Sequence, residues 1–197
     1  MTTKERILDS ALTLFSENGY NGTSVEQIAE MVGIKAPSLY KHFKGKEEIL
    51  NTLVEDSDKY YDETFGSVDH IGRIPDSLEE FVSDTMKRIR FTMHDPVVLR
   101  MRKLVVQEQF RNERLAETAS KHQLYGIQRM YSKIVKELMA QGKMVEDEPE
   151  LMAMEITAPV VLYLAQADRQ PETQKKALKD IEKHIRHFCE TYRGENW

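Results

Sequence analysis

Residues 23–43 read TSVEQIAEMVGIKAPSLYKHF. Within this stretch Ala29 and Gly33 stand four apart and Leu39 follows six later, with Ile28, Val32 and Ile34 apolar between them. Each residue type has a physical reason. A small Ala29 lets one helix cross closely over another. Gly33 permits the positive backbone angle that a tight interhelix corner demands. Ile28, Val32, Ile34 and Leu39 wedge the two helices at a steep angle. Thr23-Ser24-Val25-Glu26 reads as a capping box, with the Thr23 hydroxyl and the Glu26 carboxylate satisfying otherwise orphaned amides. The second helix is expected over Ala36–Phe43, where Pro37 is tolerated because it sits in the first turn. A plain helical hairpin with a glycine turn would share part of this pattern.

The flanking sequence is helical too. Lys4–Asn18 carries Ile7, Leu8, Ala11, Leu12 and Phe15 on one face and stops at Gly19, and Asn21-Gly22 makes a turn. A fourth helix is predicted from Lys46 to about Thr64, then a loop rich in breakers over Gly66–Pro75. Further helices are predicted over Pro75–His94, Pro96–Phe110, Glu113–Gln141, the apolar stretch Leu151–Ala167 and finally Glu172–Tyr192. An acidic loop, Val145–Pro149, precedes the apolar helix, and Pro159 within it implies a kink or break. No segment alternates like a half-buried strand. The expected fold is therefore all-α with about nine helices: a small helical domain over 1–46, built around the Gly33 corner, and a larger helical domain over 47–197.

Composition sets outer limits. The chain has 197 residues, 40% hydrophobic and 31% charged, with a formal net charge of -5. A negative total argues against a general nucleic-acid binder, but Lys35, Lys41, Lys44 and Lys46 form a run without an acid. A phosphate backbone would meet that run. The single cysteine, Cys189, excludes an intrachain disulfide framework and fits a reducing, cytoplasmic setting. Glu5, Asp9 and Glu17 interrupt any signal peptide, and Glu155 and Pro159 interrupt the most apolar stretch, so no membrane partner is expected. There is no Gly-rich phosphate loop, nucleophile elbow or zinc-protease motif, which speaks against an enzyme and against a cofactor. His184 and His187 share a helix face while Cys189 lies round the helix, so no metal site is expected there.

The sequence from Thr23 to Glu30, then Gly33-Ile34, Ser38–Phe43 and Lys46–Leu50, resembles the DNA-binding signature of the TetR family of bacterial transcriptional regulators. Phe15 and Gly19-Tyr20 extend the likeness over residues 4–50; residues 51–197 match in architecture alone. The resemblance implies that the helix at Ala36–Phe43 enters the major groove, bringing Lys35, Ala36, Pro37, Ser38 and Lys41 to base edges. Lysine suits guanine, serine pairs with either base type, and Ala36 and Pro37 offer apolar contact to a thymine methyl. Tyr40 and His42 occupy backbone-clamp positions, Lys46 would meet a phosphate at a helix start, and Thr23 and Ser24 stand at the equivalent end of the second helix. Two departures stand out. Lys35 replaces the usual small hydroxyl residue, removing the cap of the recognition helix, and Pro37 replaces a glycine or polar residue.

The resemblance further implies a homodimer on double-stranded, pseudopalindromic operator DNA, paired through the last two long helices. Leu151, Val161, Leu162, Ile181, Ile185 and Phe188 are the expected interface residues. It also implies a pocket for a small-molecule effector, apolar or amphipathic, among the helices from Lys46 to Ala167. Met86, Ile89, Met93, Leu104, Phe110, Tyr125, Met130, Met154 and Tyr163 are candidate lining residues, since methionines and aromatics suit an adaptable apolar site. Repression is the family's usual output, although activation stays open, as does a constitutive or architectural DNA binder with no effector.

Overall fold

The computed structural model describes residues 1–65 and 72–197. Of the loop expected over Gly66–Pro75, residues 66–71 lie outside that description. The described residues contain ten α-helices: α1 Thr3–Asn18, α2 Val25–Val32, α3 Ala36–Leu39, α4 Lys46–Phe65, α5 Leu78–His94, α6 Pro96–Glu108, α7 Glu113–Ser120, α8 Gly126–Ala140, α9 Pro149–Arg169 and α10 Gln174–Thr191. The long helix expected over Glu113–Gln141 is divided, because Lys121–Tyr125 between α7 and α8 winds as a π-helical turn. α9 runs through Pro159 without ending. None of the helices, among the described residues, is long and apolar enough to cross a membrane.

The helices gather into two compact units that interleave along the chain: Met1–Tyr61 with Pro96–Ala119, and Asp62–Asp95 with Ser120–Trp197. In the first, Ile7, Ala11 and Phe15 of α1 pack with Ile28 of α2, Leu39 of α3, Ile49 and Leu50 of α4, and Leu104 of α6. These side chains are essentially shielded from water, which supplies the main stabilisation of so short a helical group. Polar ties run along α1 as well. Arg100 of α6 donates to Thr13 Oγ1 at 2.6 Å and to Asp9 Oδ1 at 2.8 Å, and Gln107 Nε2 donates to the Ser16 carbonyl at 3.2 Å.

In the second unit α9 lies against both α8 and α10. Its core joins Phe81, Met86, Ile89 and Met93 of α5 to Val135 and Leu138 of α8, Met152 and Ile156 of α9, and Ile181, Ile185 and Phe188 of α10. The chain after α10 turns back along Gly142–Val145. Gly194 donates its amide to the Lys143 carbonyl at 2.8 Å and Asn196 donates to the Gly142 carbonyl at 3.0 Å. A Cβ on Gly194 would stand 2.3 Å from the Gly142 carbonyl oxygen, so only glycine allows this approach. Trp197 then meets the Phe81 ring edge-on, with centroids 6.3 Å apart.

Candidate nucleic-acid interface

The corner between α2 and α3 is built from local chemistry. Ser24 caps α2 by accepting the Gln27 amide at 3.2 Å, while the Gln27 side chain accepts the Ser24 amide at 2.7 Å. The expected box on Thr23 and Glu26 is therefore displaced by one residue. Thr23 is only 1% exposed, and its hydroxyl donates to the Gly19 carbonyl at 3.0 Å. A buried hydroxyl committed inward cannot meet DNA, which corrects the expectation for Thr23.

α2 ends on Gly33 in the left-handed conformation, φ 77° and ψ 33°. The Gly33 amide donates to the Glu30 carbonyl at 2.9 Å and the Ile34 amide to the Ala29 carbonyl at 2.9 Å. Those two bonds form a Schellman motif, which fixes the direction in which the chain leaves α2. Lys35 then occupies the cap of α3 with no side-chain bond, as the missing hydroxyl predicts. Regular helix spans only Ala36–Leu39 rather than Ala36–Phe43. Beyond it His42 donates to the Leu39 carbonyl at 2.8 Å and Phe43 to the same carbonyl at 3.1 Å, so the chain continues in turns. Without a cap and with Pro37 in its first turn, α3 has little propensity of its own; buried Leu39 and Phe43 anchor it.

The anchored side leaves the other side open. Lys35, Pro37, Tyr40, Lys41 and His42 are exposed, and Ser24, Ala36 and Ser38 are half-buried. Exposed Lys44 joins them, a residue named in the lysine run but not singled out as a contact. Lys4 also belongs to this region: its ammonium sits 5.4 Å from the centroid of the Phe43 ring, a placement that no linear motif announces.

Lys46 behaves otherwise. Its Nζ donates to the Tyr20 carbonyl at 2.8 Å and the Thr23 carbonyl at 2.6 Å, and lies 4.6 Å from the Tyr20 ring centroid. The charge expected on a phosphate is thus turned inward onto the α1–α2 connection. From α6, the buried Glu108 carboxylate accepts the Tyr20 amide at 3.0 Å. Burial, with Glu47 nearby, holds the Tyr20 phenol above its ordinary pKa. One turn is gripped by a cation from α4 and an anion from α6.

The candidate effector residues are divided between the two units. Met86, Ile89, Met93 and Met130 are buried in the core of the second unit, with Tyr163 packed against it. Leu104 is buried in the core of the first unit. Phe110 is 91% exposed, and Tyr125 and Met154 also face solvent. Helical periodicity marks all nine as apolar without telling which unit takes each.

The expected dimer residues divide as well. Leu151 and Leu162 on α9 are exposed and Val161 is half-buried. Ile181, Ile185 and Phe188 are buried within their own unit, which corrects their placement at a subunit interface. α10 has one apolar face, and α9 and α5 of the same chain occupy it. His184 Nε2 lies 3.3 Å from the Ile156 carbonyl oxygen on that side of α10.

The sequence profile of the bacterial regulatory proteins of the tetR family matches residues 7–53, the stretch that contains this corner. A negative transcriptional regulator of the biofilm operon icaADBC from Staphylococcus epidermidis, IcaR, is 48% identical over 58 residues, covering 29% of this chain and 31% of that protein. The chain thus matches about a third of the length of that relative. Among solved structures, SmeT of Stenotrophomonas maltophilia, the repressor of the multidrug efflux pump SmeDEF, superposes with a TM-score of 0.72 at 20% identity, over 99% of this chain and 92% of that one. A SmeT–triclosan complex gives 0.74 at 21% identity, over 99% and 93%. At these identities the whole-chain likeness is one of fold.

Proposed function

We propose that this chain, whose residues 7–53 match the profile of the tetR family of bacterial regulatory proteins, is a transcriptional repressor of that family. It binds a pseudopalindromic operator as a homodimer and is released by a small apolar or amphipathic ligand. The observation that carries the DNA-binding part is the corner itself. A Schellman turn on Gly33 presents Lys35, Pro37, Tyr40, Lys41 and His42 on the open side of an anchored segment. Lys35, Ser38 and Lys41 read base edges, Ala36 and Pro37 make apolar contacts, and Ser24, Tyr40 and His42 hold the phosphate backbone. Lys46 acts through the turn it grips. Repression is supported by the description of IcaR as a negative regulator, applied here to the segment the two proteins share.

In this proposal residues 1–46 serve the operator and residues 47–197 serve ligand and dimer. One recognition segment reads only a few base pairs, so two copies about 34 Å apart supply the specificity. The outward side of α9, with Leu151, Val161 and Leu162, is the surface offered for that pairing. A small-molecule effector is supported by the SmeT–triclosan complex among the structural neighbours. For such a ligand to release DNA it must prefer the non-binding state. A second reading, a constitutive binder without effector, is favoured by the tight burial of Met86, Ile89, Met93 and Met130 in one core.

The test is selection of genomic DNA fragments by the purified chain across a salt titration. Recovery of one inverted repeat with a steep salt slope supports the dimeric operator binder. No enrichment at low salt would sink it. Small-molecule screening by shift in melting temperature, followed by operator release, separates the regulated binder from the constitutive one.

A further inference from the structure

α9 carries an unpartnered face whose two ends differ in charge. Leu151, Met154, Ala158, Leu162 and Ala165 recur at the three- and four-residue spacing of one helix side. Leu162 is 69% exposed, although its neighbours Ile156 and Val160 are buried on the opposite side. The stripe ends at Arg169, four residues beyond Ala165. Arg169 donates to the Ala165 carbonyl of its own helix at 2.9 Å, and no carboxylate among the described residues pairs with it. The chain enters the other end of α9 through Glu146, Asp147 and Glu148, all exposed and none in an ion pair among the described residues. Beyond the turn after Arg169, Lys175 and Lys176 add positive charge, tempered by Glu172 and by Asp180, which pairs with Lys176.

We infer that two copies of the chain pair through α9 in antiparallel register about Ala158, with Arg169 of each copy clasping the acidic approach Glu146–Glu148 of the other. This rests on the homodimer proposed above and adds its register. Ala158 stands midway between Asp147 and Arg169. An antiparallel pairing centred there sets Arg169 beside the partner's Asp147 and Leu151 over the partner's Ala165. Ala158 meets its own counterpart, and so small a residue lets the helices approach closely. A parallel pairing would bring acid against acid and Arg169 against the partner's Arg169, so the charges select the antiparallel arrangement. From Leu151 to Ala165 the stripe is about 21 Å long and one helix face wide, less than the ~800 Å² per partner of a standard interface. Its charged ends therefore contribute materially, and the dimer is weakened by salt.

Sedimentation equilibrium of the full chain at rising salt tests the clasp. Arg169→Glu, which leaves the core untouched, is expected to raise the dimer dissociation constant by roughly tenfold, because symmetry applies the change twice. Combining it with Asp147→Lys restores pairing, since the swapped charges meet again. Cysteine cross-linking tests the register. Ala158→Cys is expected to form an interchain disulfide under mild oxidation, as is the double variant Leu151→Cys/Ala165→Cys, while Leu151→Cys alone is not. Cys189 is buried and does not compete. A monomer at every concentration and salt would overturn the homodimer and the clasp together. A dimer indifferent to Arg169→Glu, or cross-linked by Leu151→Cys alone, overturns this register and leaves the homodimer standing.

Discussion

At Lys46 one ammonium serves two carbonyls and a ring, all on the α1–α2 connection. From sequence alone, a lysine opening a helix beside other lysines reads as a phosphate contact. Its actual partners lie more than twenty residues away, where local pattern does not reach. Lys46→Ala is expected to cost about 1.5–3 kcal/mol of unfolding free energy, the range for hydrogen bonds to a charged group. Chemical denaturation measures it, and the loss should weaken binding to every DNA sequence alike. Tyr192 offers a second single-residue test. Its hydroxyl donates to Glu155 at 2.6 Å, and that bond pushes the phenol from 10 up to about 12. The folded state thus favours the neutral phenol. The contribution is complete below pH 10 and lost as pH rises through about 12. An ultraviolet titration should lose one late-ionising tyrosine when Tyr192→Phe is compared with the original chain.

At the scale of elements, α2 and α3 differ in how they are held. α2 has a complete capping box on Ser24 and Gln27 and a Schellman end on Gly33. Both ends are visible in the sequence, apart from the frame of the box. Two hydroxyl residues stand side by side with an acceptor three residues after each, and only the burial of Thr23 decides between them. Ser24→Ala is expected to lower stability by about 1 kcal/mol, read from the shift in melting temperature. α3 depends on its anchors, so its outward residues are free for recognition. Selection from randomised DNA should find that Ser38→Ala and Lys41→Ala change which bases are preferred, whereas Tyr40→Phe weakens all sequences equally. Equal loss of preference in both groups would end that division of roles.

Across the whole molecule, the same periodic signal has two outcomes. α9 and α10 each display an apolar stripe in sequence. That of α10 is consumed inside its own unit, while α9 keeps a second, outward one. Ile185→Ala is expected to remove about 2–5 kcal/mol of stability, as for a buried aliphatic side chain cut back to a methyl group. Leu162→Ala should leave stability nearly unchanged and weaken association. Denaturation and sedimentation of the two variants side by side separate these roles.

By itself the sequence determined most of the helices, the glycine corner and the lysine run; the short α3 and the π-helical turn at Lys121–Tyr125 are the exceptions. Each rests on interactions within a turn or two of chain: caps, spacing and the left-handed angle at Gly33. The tertiary structure decided what each helix face meets. It turned Lys46 inward, buried Thr23, drew Glu108 of α6 onto the Tyr20 amide 88 residues away, and gave the α10 stripe to its own core. Periodicity specifies that a face must be buried. Which neighbour buries it depends on contacts between residues far apart along the chain, and those are set only when the whole chain packs.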